Sequence, residues 1–309
     1  MPYRVLDHDQ VEEFISRGFI CLRGAIPQDF IEEATDNFWI RLGYDPHDPT
    51  TWSEDYFGMP RHRAWMPEDV VPKVWGASCD LLGGEDRTLQ RPWSDSFVVN
   101  FGNGSDVPYE APTPQTGGWH IDGDSYRRYL DSPELALLTV ALFSDVQPKG
   151  GPTVLLPESV ALISRYLNKH RDGPHIVDMG LKAIAEQCTE VVELTGDAGD
   201  VFLIHAYMLH APSPNVLQVA RIMHNPGIQL REPMCFDRED PSKYSPVERS
   251  ILKGIGVDRL AYAPEGPRER KRDHGAKRRA YIRAERKRIE EIRLHAAAVT
   301  AANALHGFT

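Results

Sequence analysis

The sequence predicts a mainly β protein with flanking helices, its core a sandwich or barrel of short strands. Two observations point there. Between residues 96 and 230, short β-branched and aromatic runs alternate with Gly/Pro turns, as in sandwiches and barrels. Before residue 43 and beyond residue 276, apolar residues instead recur at helical spacing.

The elements follow in order. Asp9-Gln10-Val11-Glu12 resembles a capping box, Phe14 and Ile15 begin an apolar face, and Gly18 suits the helix end. Phe19 to Leu22 reads as a short strand. Pro27 to Arg41 reads as one helix, with Phe30, Ile31, Ala34, Phe38 and Trp39 on one side and Gly43 as its stop. Residues 44–95, rich in Pro, Trp, Asp and Arg, read as irregular loops with short helices, and a loop region this long is often functional. Strands are expected at 96–101, around His120 and Asp122, at 135–143, 153–156, 200–210 and 220–230. Pro157-Glu158-Ser159 precedes a helix reaching about His170, and a helical insertion is expected within 180–189. Gly254 to Pro267 reads as a linker. Lys277 to Ala304 reads as a long helix with a narrow stripe of Ile282, Ile289, Ile292, Ala296 and Val299. The expected division is therefore 1–255, a main domain with N-terminal helices, and 256–309, a linker and basic helix.

Composition narrows the class. At 309 residues and 41% hydrophobic content the chain has ample material for a buried core. No run approaches the roughly eighteen apolar residues of a membrane span, and the N-terminus lacks the apolar region of a secretory signal. Cys21, Cys79, Cys188 and Cys235 are scattered, which suits reduced thiols and a cytoplasmic protein. The net charge of −10 argues against nucleic acid as a partner. Residues 268–293 run the other way, with twelve of the 35 Lys+Arg and five of the 45 Asp+Glu, a net of +7 (12 minus 5). A basic helix lying on an acidic body is favoured over a nucleic-acid or membrane patch. Its apolar stripe leaves oligomerisation through this helix open.

The chemistry concentrates in Trp119-His120-Ile121-Asp122. On a strand, residues two apart point to one face, so an imidazole and a carboxylate can meet one metal ion. The competing reading is a surface turn, because Asp122-Gly123-Asp124 is also turn-like. Asp124 is the alternative carboxylate, disfavoured because it does not converge with His120 along a strand. His205, His210 and His224 are candidates for a third ligand. His210 is preferred because Ala211 to Asn215 must turn, which ends one strand at His210, starts the next at Arg221, and brings the two together on an antiparallel return. Two His and one carboxylate with open positions is the ligand set of non-heme Fe(II) oxygenases. Arg221 lies in a largely apolar strand and needs an anion, either an acidic co-substrate held bidentately or a protein acid in an ion pair.

These residues carry a resemblance. Trp119 to Asp122, Gly150-Gly151-Pro152-Thr153-Val154-Leu155-Leu156-Pro157-Glu158-Ser159, Gly199 to His205 running on to His210, and Asn215 with Arg221 resemble the phytanoyl-CoA dioxygenase family of iron- and 2-oxoglutarate-dependent oxygenases. Gly18 to Ile26 fits the family's opening, and the resemblance covers about residues 5–230. It implies a double-stranded β-helix (jelly-roll, cupin-like) core. It assigns His120, Asp122 and His210 to Fe(II) and Arg221 to the distal carboxylate of 2-oxoglutarate, with O₂ as the other co-substrate. The implied reaction releases succinate and CO₂ and oxidises a C–H bond of a small-molecule substrate, and the presence of Asp122 favours hydroxylation over halogenation. Family members often carry a small hydroxyl residue two after the distal His, where this chain has Pro212. Two other classes compete: a jelly-roll binding protein without turnover, which the intact ligand set weighs against, and a metal-dependent cupin enzyme that does not use 2-oxoglutarate, which Arg221 weighs against. Arg61, His62, Arg63, Arg127 and Arg128 are candidates to hold an anionic substrate group, with ordinary surface charge preferred. Trp119 and Tyr126 either wall a pocket or pack.

Overall fold

A computed structural model describes residues 3–269, 283, 285–287 and 289–291. Most of the helix expected over 277–304, including Ile282, Ile292, Ala296 and Val299, lies outside the described residues. Those described between 283 and 291 are helical.

The first helix, His8–Arg17, is capped by Asp7, two residues before the expected cap Asp9. Asp7 accepts from Gln10 N, and the Gln10 side chain reciprocates at Asp7 N. Gly18 ends it in the left-handed region at φ 78°, where a side chain is strained. The helix expected over Pro27–Arg41 is two pieces, Gln28–Thr35 and Phe38–Leu42, hinged at Asn37 (φ −103°, ψ 6°). Thr35 Oγ1 donates back to Ile31 O, a local bond that competes with helix continuation. The 44–95 segment is more ordered than its composition suggests. It holds the eleven-residue helix Pro72–Leu82, whose Val74, Ala77, Leu81 and Leu82 are buried.

Two antiparallel sheets face each other. The larger runs Phe19–Leu22, Val201–His205, Leu137–Leu142, Arg221–His224, Val98–Asn100, Tyr56–Gly58, with Gly227–Leu230 and Thr88–Leu89 joined at one side. The smaller runs Leu209–Pro212, Thr153–Leu156, Val192–Leu194. Leu138, Val140, Leu142, Phe202, Ile204 and Met223 from the larger sheet pack with Leu155 and Leu194 from the smaller. The other side of the larger sheet joins a core shared with the helices, through Leu137, Ala141, Val201 and Leu203. Every residue of Leu137–Leu142 is buried, because this strand has a packed layer on both faces. The architecture is the double-stranded β-helix with flanking helices.

Two expected strands are divided. The chain leaves the larger sheet at His205, turns with Met208 N donating to His205 O (2.9 Å), and enters the smaller sheet at Leu209. His205 and His210 therefore lie in different sheets, not on opposite faces of one strand. The expected 220–230 strand breaks at Asn225-Pro226, since proline has no N–H for the ladder. Helices Ser159–Lys169 and Leu181–Ala185 match their expected places. Among the described residues no helix is long and apolar enough to cross a membrane.

Candidate metal centre

His120 lies on a long connection rather than a strand. Its one ladder contact is an isolated antiparallel bridge to His210, with N–H to O bonds of 3.0 Å in both directions. The expected strand at His120 and Asp122 is thus a single bridge followed by a bend. That bridge sets the two imidazole rings 4.3 Å apart, centroid to centroid. In each ring Nδ1 lies against a main-chain carbonyl, Gly118 O at 2.8 Å for His120 and Met208 O at 3.1 Å for His210. A ring that donates through Nδ1 presents an unprotonated Nε2, the form that binds metal.

Asp122 completes the group. Its Oδ1 is 3.9 Å from His120 Nε2 and 3.8 Å from His210 Nε2. One ligand atom from each of the three residues lies within 4.8 Å of the other two. His210 is buried, while the His120 and Asp122 side chains are 45% and 36% exposed. The group is therefore walled on the His210 side and open on the other. Burial lowers the pKa of His210, the neighbouring His120 lowers it further, and Asp122 opposes both. Asp124 is not in the converging group. Trp119 packs, with Nε1 donating to Thr113 O (3.1 Å).

The other two histidines are structural. His205 is buried and its Nδ1 accepts from Tyr207 N, and burial pushes its pKa down to about 3. His224 Nε2 accepts from Ser94 N, and burial lowers its pKa to about 4.

Arg221 starts a strand of the larger sheet, while His210 lies in the smaller one. The expected antiparallel return between them is absent, and they sit on facing sheets. Thr153 pairs with Pro212, two residues past His210, and its Oγ1 reaches Met223 Sδ (3.5 Å), two residues past Arg221. Arg221 is 1% exposed. Nη1 lies 2.7 Å from Met223 Sδ, while Nε and Nη2 have no hydrogen-bond partner. Among the described residues no carboxylate pairs with it, so the protein ion pair that competed with a co-substrate is not found. Burial lowers its pKa, opposed by Tyr56, whose ring centroid is 5.7 Å from the guanidinium carbon. A buried cation with two unused donors suits a carboxylate ligand.

Tyr56 was missed by sequence reasoning. It shares a sheet row with Asn100 and Arg221, but its strand is only Tyr56–Gly58 and shows no periodicity. Ser213, next to the anomalous Pro212, spends its hydroxyl on Pro152 O (2.7 Å).

Four of the five basic candidates for substrate binding have protein partners, and Arg61 is exposed. Arg63 pairs with Asp36 (2.8 Å) and Asp95 (3.3 Å), and His62 Nε2 lies 3.3 Å from Glu285. Arg127 donates to Asp172 O and Gly173 O. Arg128 is wholly buried, which overturns its reading as surface charge.

The chain is similar to known proteins. Solved structures similar to the chain include the α-ketoglutarate-dependent carbocyclase SnoK of nogalamycin biosynthesis, 15% identical over 73% of this chain and 84% of that one, TM-score 0.44. HygX of Streptomyces hygroscopicus with nickel and 2-oxoglutarate bound is 15% identical over 73% and 88%, TM-score 0.43. EctD of S. alaskensis with 2-oxoglutarate and 5-hydroxyectoine is 17% identical over 72% and 76%, TM-score 0.42. No curated protein matches the chain. The family model described as phytanoyl-CoA dioxygenase (PhyH) matches residues 16–223. With most of its 309 residues inside that match, the chain belongs to the phytanoyl-CoA dioxygenase family and is an iron- and 2-oxoglutarate-dependent oxygenase.

Proposed function

We propose that His120, Asp122 and His210 hold the iron, that Arg221 holds the 5-carboxylate of 2-oxoglutarate, and that the reaction hydroxylates an unactivated C–H bond of a small molecule. The observation that carries the reading is the pairing of a three-ligand group with a buried, unsatisfied guanidinium in the same β-helix. The donor set of two imidazoles and a carboxylate suits Fe(II) with open positions. Iron and 2-oxoglutarate together supply an oxidant made from O₂, with release of succinate and CO₂.

The protein's own part is to bind and orient. The Gly118 and Met208 carbonyls hold the two imidazoles in one tautomer. Asp122 keeps a carboxylate where a smaller residue would leave room for halide, which favours hydroxylation. Arg221 draws in the far end of the keto acid beside Met223 and Tyr56. The exposed side of His120 and Asp122 is the approach left for substrate. A cytoplasmic location accords with four free thiols. Burial raises Cys21 and Cys79 to about 11 and Cys188 to about 12, which disfavours the thiolate at neutral pH.

The test is a small-molecule library screened by succinate release, followed by turnover of each hit under ¹⁸O₂. Hydroxylation places one labelled oxygen in the product. A product that is oxidised without gaining label contradicts hydroxylation while leaving the oxygenase assignment intact.

A further inference from the structure

Asp122 stands on irregular backbone. Between residues 119 and 125 the one ladder contact is the His120–His210 bridge, Asp122 lies beyond it in a bend, and the chain bridges again at Tyr126. A carboxylate on such a segment needs a second anchor to stay within 4 Å of two imidazoles.

Arg128 provides that anchor. Its Nη2 donates to the main-chain carbonyl of Asp122, and Nη1 to Leu135 O (3.4 Å). The side chain is 0% exposed, its guanidinium carbon 4.8 Å from the Tyr126 ring centroid and 5.9 Å from that of Tyr207. Gly123 makes the approach possible. Its φ is +101°, and a Cβ there would collide with the Tyr126 hydroxyl and with Arg128 Nη2. The following loop is fixed from both sides. Tyr207 Oη bonds the Tyr129 and Leu130 carbonyls, Tyr129 Oη donates to Pro267 O, and Arg268 pairs with Asp131 at 2.6 Å.

For stability alone this is a poor use of an arginine. Its acceptors are carbonyls rather than a carboxylate, and Nε has no partner. An apolar side chain of similar volume would avoid burying the charge. What the guanidinium adds is direction, a planar donor fork that ties the Asp122 carbonyl to the Leu135 carbonyl.

We propose that Arg128 is a positioning residue for the metal site, holding Asp122 so that its carboxylate faces His120 and His210 before metal arrives. This rests on the reading of those three residues as ligands. Arg128→Lys keeps the charge and loses the fork, and Arg128→Gln loses both. Groups that orient metal ligands typically contribute about 10–100-fold in affinity. Anaerobic Fe(II) titration should therefore show a loss of that order for Arg128→Gln and a smaller one for Arg128→Lys. The visible band of the Fe(II)–2-oxoglutarate complex should shift in both, while melting of the metal-free variants shows them folded.

Gly123→Ala provides an independent variant should the arginine variants fail to fold, because the added methyl displaces Arg128. Its loss of iron affinity should not add to that of Arg128→Lys in the double variant, since both break one contact. Wild-type iron affinity and an unshifted band in folded Arg128 variants overturn the proposal, as do additive losses in the double variant. Failure of the wild-type protein to bind iron is a different result, and it removes the ligand reading together with the proposal.

Discussion

Arg221 Nη1 lies 2.7 Å from Met223 Sδ, a weak acceptor, while Nε and Nη2 of the same guanidinium have no partner. The arrangement is costly without an anion. Removing one partner of a buried pair costs about 3–5 kcal/mol, and a charge-assisted hydrogen bond contributes about 1.5–3 kcal/mol. Arg221→Gln should therefore weaken 2-oxoglutarate binding to the iron-loaded protein by a factor on the order of ten to a thousand. Iron affinity should change little. Arg221→Lys should recover part of the loss, because an ammonium lacks the planar fork. Titrations of 2-oxoglutarate into the three proteins decide this, and wild-type affinity in the Gln variant removes Arg221 from the co-substrate site.

His210→Ala should lose iron affinity far more than His205→Ala. His210 Nε2 faces Asp122 at 3.8 Å, whereas His205 lies in the other sheet and is absent from the converging group. Equal losses in anaerobic Fe(II) titrations would mean that the distal ligand is misassigned.

Acid should destabilise the metal-free fold through its buried neutral histidines. His205 is held at about 3 and His224 at about 4, against roughly 6.5 when unfolded. Between those values the unfolded chain binds the extra proton, so stability falls as pH drops below about 6.5 and levels off once the folded value is passed. At pH 5 each group costs roughly 2 kcal/mol relative to neutral pH. Urea unfolding at pH 7.5 and 5.0 should show His205→Asn losing about 2 kcal/mol less than wild type. Equal acid sensitivity would show that His205 is not buried neutral.

The C-terminal segment should contribute to stability rather than to the metal site. Glu285 is buried against Arg41 at 2.7 Å, and Arg41 also meets Asp95 at 3.1 Å and the Pro60 carbonyl. Glu285→Ala leaves the arginine with its remaining partners, so the cost should be about 1–3 kcal/mol in denaturant unfolding, with iron and 2-oxoglutarate affinities unchanged. A loss of co-substrate affinity in the folded variant would tie this segment to the active site.

Much of the core was legible because its signals are local. Thr153–Leu156 and the helix after it stand where β-branched residues and a Pro turn place them. The three residues that converge, His120, Asp122 and His210, and the buried Arg221 were legible by type, since few patterns place them together. Their geometry was less so. A single bridge holds His120 where a strand was expected, and the sheet change at Ala206–Met208 separates two histidines that read as one strand. Tyr56 was not legible as a site residue, and Arg128 was legible only as a candidate to hold an anionic substrate group, not in the positioning role proposed for it. One lies on a three-residue strand, and the other acts through a main-chain carbonyl, which leaves no mark on sequence spacing.

The central claim is that one pocket binds Fe(II) through three side chains and 2-oxoglutarate through Arg221. It is tested most directly by adding both, without oxygen, to the metal-free protein and recording the visible spectrum. The account predicts a weak charge-transfer band that needs both components, is lost in Asp122→Gly, and in Arg221→Gln appears only at much higher 2-oxoglutarate. A well-folded, iron-loaded wild-type protein that gives no such band at saturating 2-oxoglutarate would contradict it.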